Sequence, residues 1–137
     1  MKKFLLDTDI ISYIMKKNPT VLTNYNKYSE KDDYIFISRI SVVEILGGLK
    51  ARNAEKQIKE FNELIANHKI LDTTELSANI SSDIYARLTK IGKHSGNYDI
   101  LIAGIAIANN LKLVTNNEKD YENIDDLEIV NWTLIIE

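Results

Sequence analysis

Asp7 and Asp9 stand one residue apart in "FLLDTDII", where an apolar run meets two carboxylates and then resumes. Aspartate is a common helix N-cap, which accounts for one of the pair but not readily for both. A third acid, Glu44, lies in "SRISVVEILGG". Ser41 and Glu44 have the S-x-x-E spacing of a capping box, a purely structural role. Against that role, Val43 and Ile45 flank Glu44, so part of its surroundings is expected to be apolar. Gly47 and Gly48 follow. Each costs a helix about 1 kcal/mol relative to alanine, so the pair predicts the close approach of another backbone. Asp99 opens "DILIAGIAIA". A helix N-terminus welcomes a carboxylate, yet Ser95 and Asn97 already offer caps, and Asp99 falls one step too far in. The last group follows "KLVT": Asn116, Asn117, Glu118 and Asp120, where turn chemistry alone explains the asparagines.

Brought to one place, these acids repel one another. Two unit charges about 4 Å apart cost about 4 kcal/mol at an effective dielectric of about 20. The stable resolution is a hard divalent cation with oxygen ligands, Mg²⁺ or Mn²⁺. Zinc is disfavoured, since His68 and His94 lie far apart and the chain has no cysteine. The lack of cysteine also removes thiol nucleophiles and fits a reducing cytoplasm.

The elements that must position these acids follow from hydrophobic spacing. "KFLLD" (3–7) reads as a buried strand and "IISYIMKK" as a helix after it. "NPTVLTNYNKYS" starts a second helix, with Asn18 as cap and Pro19 at its first position. "YIFIS" (34–38) is a strand, and "SVVEILGGLKA" and "AEKQIKEFNELIANH" are helices. The second of these carries Ile58, Phe61, Leu64 and Ile65 on one face. "KILDT" is a short strand, and "TELSANISSDIYARLTKIGKH" a helix with Leu76, Ile80, Ile84, Leu88 and Ile91 as its stripe. After "SGN" comes the apolar helix "YDILIAGIAIANN", then the strand "KLVTN", the short segment "EKDYENI" and a last strand, "LEIVNW". Strands alternating with helices imply an α/β fold with a mostly parallel sheet covered on both faces. In such a sheet Asp7, Glu44 and the 117–120 turn all leave strands at the same edge, where ligands bind.

With 137 residues, 45% of them hydrophobic and one proline, the chain reads as one domain over 1–137. "MKK" imitates the start of a signal peptide, but Asp7 and Asp9 interrupt the apolar run too early. "ILIAGIAIA" (100–108) is too short to span a bilayer, so no membrane association is expected. A net charge of −3 supplies no global field for nucleic acid. Local basic candidates are Lys50, Arg52, Lys56 and Lys59, and Arg87, Lys90, Lys93 and His94. Interleaved with Glu55, Glu60 and Glu63, they read as solvated faces.

Taken in order, "FLLDTDIIS", "ISVVEILGG", "YDILIAGIAIANNLKLVTNN" and "EKDYENI" make the chain resemble a PIN-domain ribonuclease of the VapC toxin type. That resemblance implies a three-layer α/β/α PIN-like domain and a Mg²⁺- or Mn²⁺-dependent endonuclease that cuts RNA. Asp7, Glu44 and Asp99 match the three acids of the family motif. Asn117 falls where many members have a fourth acid, with Asp120 close behind, so either would complete the metal set. Asp9 stands where relatives often carry asparagine. The resemblance further implies a dimer silenced by a cognate antitoxin. "NPTVLTNYNKY" and the helix near Phe61 are the faces expected to serve either association. In the implied mechanism Asp7 and Asp99 hold the metal, Glu44 binds it or orients water, and the metal activates that water for in-line attack. Thr8, Ser38, Ser41 and Thr115 are available to hydrogen-bond carboxylates or phosphate, or to act as caps and turn residues.

Two rivals remain at this level. A haloacid-dehalogenase-type phosphatase would use Asp7 as nucleophile and Asp9 as acid/base, but expects an acid pair where this chain has "TNN". A catalytically inactive PIN-like interaction module would account for the neutral Asn117.

Overall fold

The computed structural model describes residues 2–94 and 96–135. Its centre is β1 (Phe4–Leu6), and every residue of that strand is buried. β1 pairs in parallel with β2 (Ile35–Ser38) on one side and β4 (Lys112–Val114) on the other. β3 (Lys69–Leu71) and β5 (Ile129–Val130) complete the order β3-β2-β1-β4-β5, parallel throughout. Seven helices flank the sheet among the described residues: α1 (Thr8–Met15), α2 (Pro19–Ser29), α3 (Arg39–Ala51), α4 (Glu55–Ala66), α5 (Glu75–Lys90), α6 (Asn97–Ala108) and α7 (Glu118–Tyr121).

Each face of the sheet has its own core. Phe4 and Leu6 point to the layer of α1–α4, with Val21, Phe61 and Trp132, while Leu5 points to the layer of α5–α7. This is the period-two alternation of a strand covered on both sides, hidden in sequence because both faces are apolar. The order reverses at β1: β2 lies to one side and β4 to the other, so the crevice beyond Leu6 is the topological switch point. The register brings Leu6, Ile37 and Val114 level, so Asp7, Ser38 and Thr115 leave the sheet side by side.

Several local expectations are corrected. α3 begins at Arg39 with Ser38 as its cap, Ser38 Oγ accepting from Ser41 N at 3.1 Å. Ser41 therefore sits inside the helix, and the Ser41–Glu44 capping box does not form. Gly47 and Gly48 meet no other backbone; a Cβ on Gly47 would have nothing within 4 Å. The close approach occurs instead at Gly104, where a Cβ would collide with Ser81 Oγ and lie 2.7 Å from the Ser77 carbonyl oxygen. α5 stops at Lys90 rather than His94, and its stripe narrows to Ile80, Ile84 and Leu88, with Leu76 and Ile91 exposed. The last strand shrinks to two residues, because the chain after it turns to bury Trp132 beside Phe4 and Tyr28. Val21 and Phe61 are fully buried, while Thr23 and Asn26 on α2 and Lys59 and Asn62 on α4 stay exposed. No helix among the described residues is long and apolar enough to cross a membrane.

Candidate active site

Asp7 is the first residue beyond β1, and its two oxygens have different duties. Oδ1 accepts from Thr8 N at 2.9 Å and caps α1. Oδ2 accepts from Thr115 Oγ1 at 2.8 Å and from the Tyr121 hydroxyl at 3.0 Å. Capping and membership of an acid cluster are thus both true of Asp7. The residue is 3% exposed, and burial raises its pKa despite these three donors.

Asp99 faces it from the first turn of α6. The cap position there is Gly96, which makes no side-chain bond, so Asp99 does not cap the helix. Asn97 lies within the helix, and Ser95 lies outside the described residues. Asp99 Oδ1 stands 3.2 Å from the same Tyr121 hydroxyl. A phenol has one proton, so two carboxylates compete for one donor. Burial, then the charges of Asp7 and Asp99, push the tyrosine's ionisation far upward, which keeps that proton on the oxygen. Asp99's own pKa rises to about 6, through burial first and then the negative charges of Asp7, Asp120 and Glu44.

Glu44 is oriented by a line of hydroxyls. Thr8 Oγ1 donates to Glu44 Oε1 at 2.7 Å, which commits its single proton. Ser41 Oγ, 2.9 Å away, must then donate to Thr8, and Ser38 Oγ donates to Ser41 at 3.3 Å. The ends of β1 and β2 are linked through this chain to one carboxylate. Thr115 has a comparable place after β4, donating to Asp7 while accepting from Asn117 N at 3.0 Å.

The other expected positions lie at the edge. Asp120, exposed on α7, raises the pKa of both Asp7 and Asp99 by its charge. Asn117 is exposed, and its side chain makes no cap bond to α7. Asp9 turns away from the cluster, its Oδ2 accepting from Asn116 N at 2.9 Å. Its Oδ1 is buried without a partner, and burial, followed by the charge of Asp7, lifts its pKa to about 6. Thr8, Ser38 and Ser41, expected as partners for carboxylates or as caps, do both, while Tyr121 escaped sequence reading. The one available signal was a hydroxyl-bearing aromatic at the apolar position of a four-residue helix otherwise made of charged residues.

The donors fit a hard cation by type, being the carboxylate oxygens of Asp7 and Asp99, which share a single hydroxyl donor between them. No three acidic or histidine side chains among the described residues are drawn close enough to enclose an ion as they stand.

A strand-terminal acid at the switch point, a helix-borne acid facing it and a third acid from the next unit define a class of fold and site. The PIN domain model matches residues 4–127, and the chain belongs to the PIN-domain family. Ribonuclease VapC2 of Haemophilus influenzae is 34% identical, the match covering 96% of this chain and 99% of the relative. The tRNA(fMet)-specific endonuclease VapC of Shigella flexneri is 27% identical over 97% of this chain and all of its own. Among solved structures, DNA-bound VapBC from Salmonella typhimurium superposes with a TM-score of 0.85 at 30% identity, covering 96% of this chain and 99% of that one. The α/β/α architecture is that of these proteins, and the phosphatase reading of Asp7 and Asp9 is set aside.

Proposed function

We propose that this chain is an endoribonuclease, the toxin of a toxin–antitoxin pair, which hydrolyses RNA phosphodiesters with Mg²⁺ or Mn²⁺. The observation that carries the reading is the single Tyr121 hydroxyl shared by Asp7 and Asp99, with Glu44 and Asp120 close enough to perturb Asp99. Such a pocket is costly without a cation and would repel a phosphate. Asp7 and Asp99 are the residues to hold the ion, with Asp120 completing the set in place of the neutral Asn117. When bound, the cation supplies an activated water and neutralises charge on the phosphate oxygens.

The chain's own groups then do the positioning. Tyr121 and Thr115 hold the Asp7 carboxylate, and Thr8 holds one oxygen of Glu44 while leaving Oε2 without a hydrogen bond among the described residues. That free oxygen is the one to accept a proton from an attacking water. No protein nucleophile is required. The Salmonella relative was solved as a VapBC assembly with DNA, which supports an antitoxin partner here; the proposal adds a homodimeric toxin acting in the cytoplasm.

The test is cleavage of a panel of RNAs, including the tRNA(fMet) named for the Shigella relative. The purified chain is assayed in Mg²⁺, Mn²⁺ or EDTA, beside Asp7→Asn and Asp99→Asn. Cleavage lost in both variants and in EDTA is expected. Cleavage that persists in both variants would refute the assignment, and none on any RNA would leave an interaction module, the reading Asn117 favours.

A further inference from the structure

Glu44 borders two hollows at once. One, of about 470 Å³, runs between α1, α3 and α4, from Thr8 and Glu44 at one end to Lys16, Arg52 and Lys56 at the other. The second, also about 470 Å³, opens between Glu44 and Asp99, with Gly96, Asn97 and Tyr98 on its wall. The two share Glu44, and the second also reaches Asp99.

Resting on the nuclease reading, we infer that a single strand of RNA crosses the carboxylates from one hollow to the other. Its backbone lies against Lys16, Arg52 and Lys56, and a base stacks on Tyr98.

The first half is carried by charge and shape. Lys16, Arg52 and Lys56 are exposed, and none forms an ion pair among the described residues. They are free cations on a chain whose net charge is −3. Glu60 shares the groove, whose three cations outnumber its two acids, Glu44 and Glu60. Arg52, the residue that caps the C-terminus of α3, follows Glu44 by eight residues, about 12 Å at 1.5 Å per residue, a reach of a few phosphates along a strand. Gly48 keeps the wall between them low: a Cβ there would meet only Arg52 Nη1, at 3.9 Å. This is a use for Gly48 that helix–helix packing does not supply.

The second half rests on Tyr98. Of the seven tyrosines, it alone makes no hydrogen bond, aromatic contact or cation contact among the described residues. The residue is 52% exposed, one position from Asp99. An uncommitted ring beside a phosphodiester site is a stacking surface for an unpaired base. A base held in a duplex cannot use it, so the path selects single-stranded or splayed RNA.

The probe is a short fluorescein-labelled single-stranded RNA of mixed sequence, bound in Ca²⁺ and followed by anisotropy, with a gel to verify that it stays intact. Arg52→Ala combined with Lys56→Ala is expected to weaken binding about fivefold or more. It should also flatten the dependence of log affinity on log salt by about 1.4, at about 0.7 for each phosphate no longer neutralised. Tyr98→Ala is expected to weaken binding about tenfold with the salt slope unchanged, and Tyr98→Phe to restore it. In cleavage, these variants should raise KM far more than they lower kcat. All the altered side chains are exposed, and unchanged thermal melts will exclude misfolding. If the wild type cleaves RNA while the double variant keeps its affinity and slope, the path is wrong and the nuclease reading stands. Unchanged RNA binding with loss of a co-purified antitoxin would assign the groove to a protein and overturn the path. A wild type that neither binds nor cleaves any RNA would remove the nuclease reading itself.

Discussion

Asp99→Asn removes a charge while keeping the shape of the side chain and an oxygen to accept from Tyr121. In the folded chain the Asp99 carboxyl titrates at about 6 against an ordinary 3.8, because burial and the neighbouring acids disfavour its charged form. Between those values the folded state binds more protons than the unfolded state. Stability from this group is therefore complete below pH 4, falls as pH rises, and is lost above about pH 6. At 1.36 kcal/mol per pH unit the full loss is about 3 kcal/mol. Asp99 is only half-buried, and solvent screening reduces this to about 1.5 kcal/mol. The asparagine variant escapes that loss. At pH 7 in EDTA it should melt about 5 °C above the wild type, at roughly 3–4 °C per kcal/mol for a chain of this size. The difference should vanish by pH 4. Melts followed by circular dichroism from pH 4 to 7.5 measure it directly. Asp9, also raised to about 6, leaves a residual pH dependence in both proteins. Added Mn²⁺ should raise the wild-type midpoint more than the variant's, since an ion bound only by the folded state stabilises by mass action. A variant that melts below the wild type at pH 7, or a gain independent of pH, would refute the repulsion argument.

Two further substitutions probe the scaffold of the site. Tyr121→Phe withdraws the donor shared by Asp7 and Asp99 and should cost about 1–2 kcal/mol at pH 7, read as a lower urea midpoint. The loss should be smaller at pH 4, where a protonated carboxyl supplies the shared hydrogen itself. Gly104→Ala drives a Cβ into Ser81 Oγ and the Ser77 carbonyl and should cost about 1–3 kcal/mol. Adding Ser81→Ala should not restore the melting temperature, because the Ser77 backbone stays in place.

What the residues alone determined was local or periodic. Apolar runs and helical stripes established the order of elements, and Asn18 and Pro19 marked the start of α2 where it is found. Parallel strands then required Asp7 and Glu44 to leave the sheet at one edge, since that follows from chain direction without knowledge of contacts. Tertiary structure decided which of two serines caps α3, because the answer depends on where β2 ends against β1. It likewise decided that Gly104, and not the Gly47–Gly48 pair, is the point of close helix contact. Tyr121 lies 114 positions from Asp7 and 22 from Asp99. No spacing rule links residues so far apart. They are brought onto one hydroxyl only when β4 pairs with β1 and two apolar cores close on the faces of the sheet.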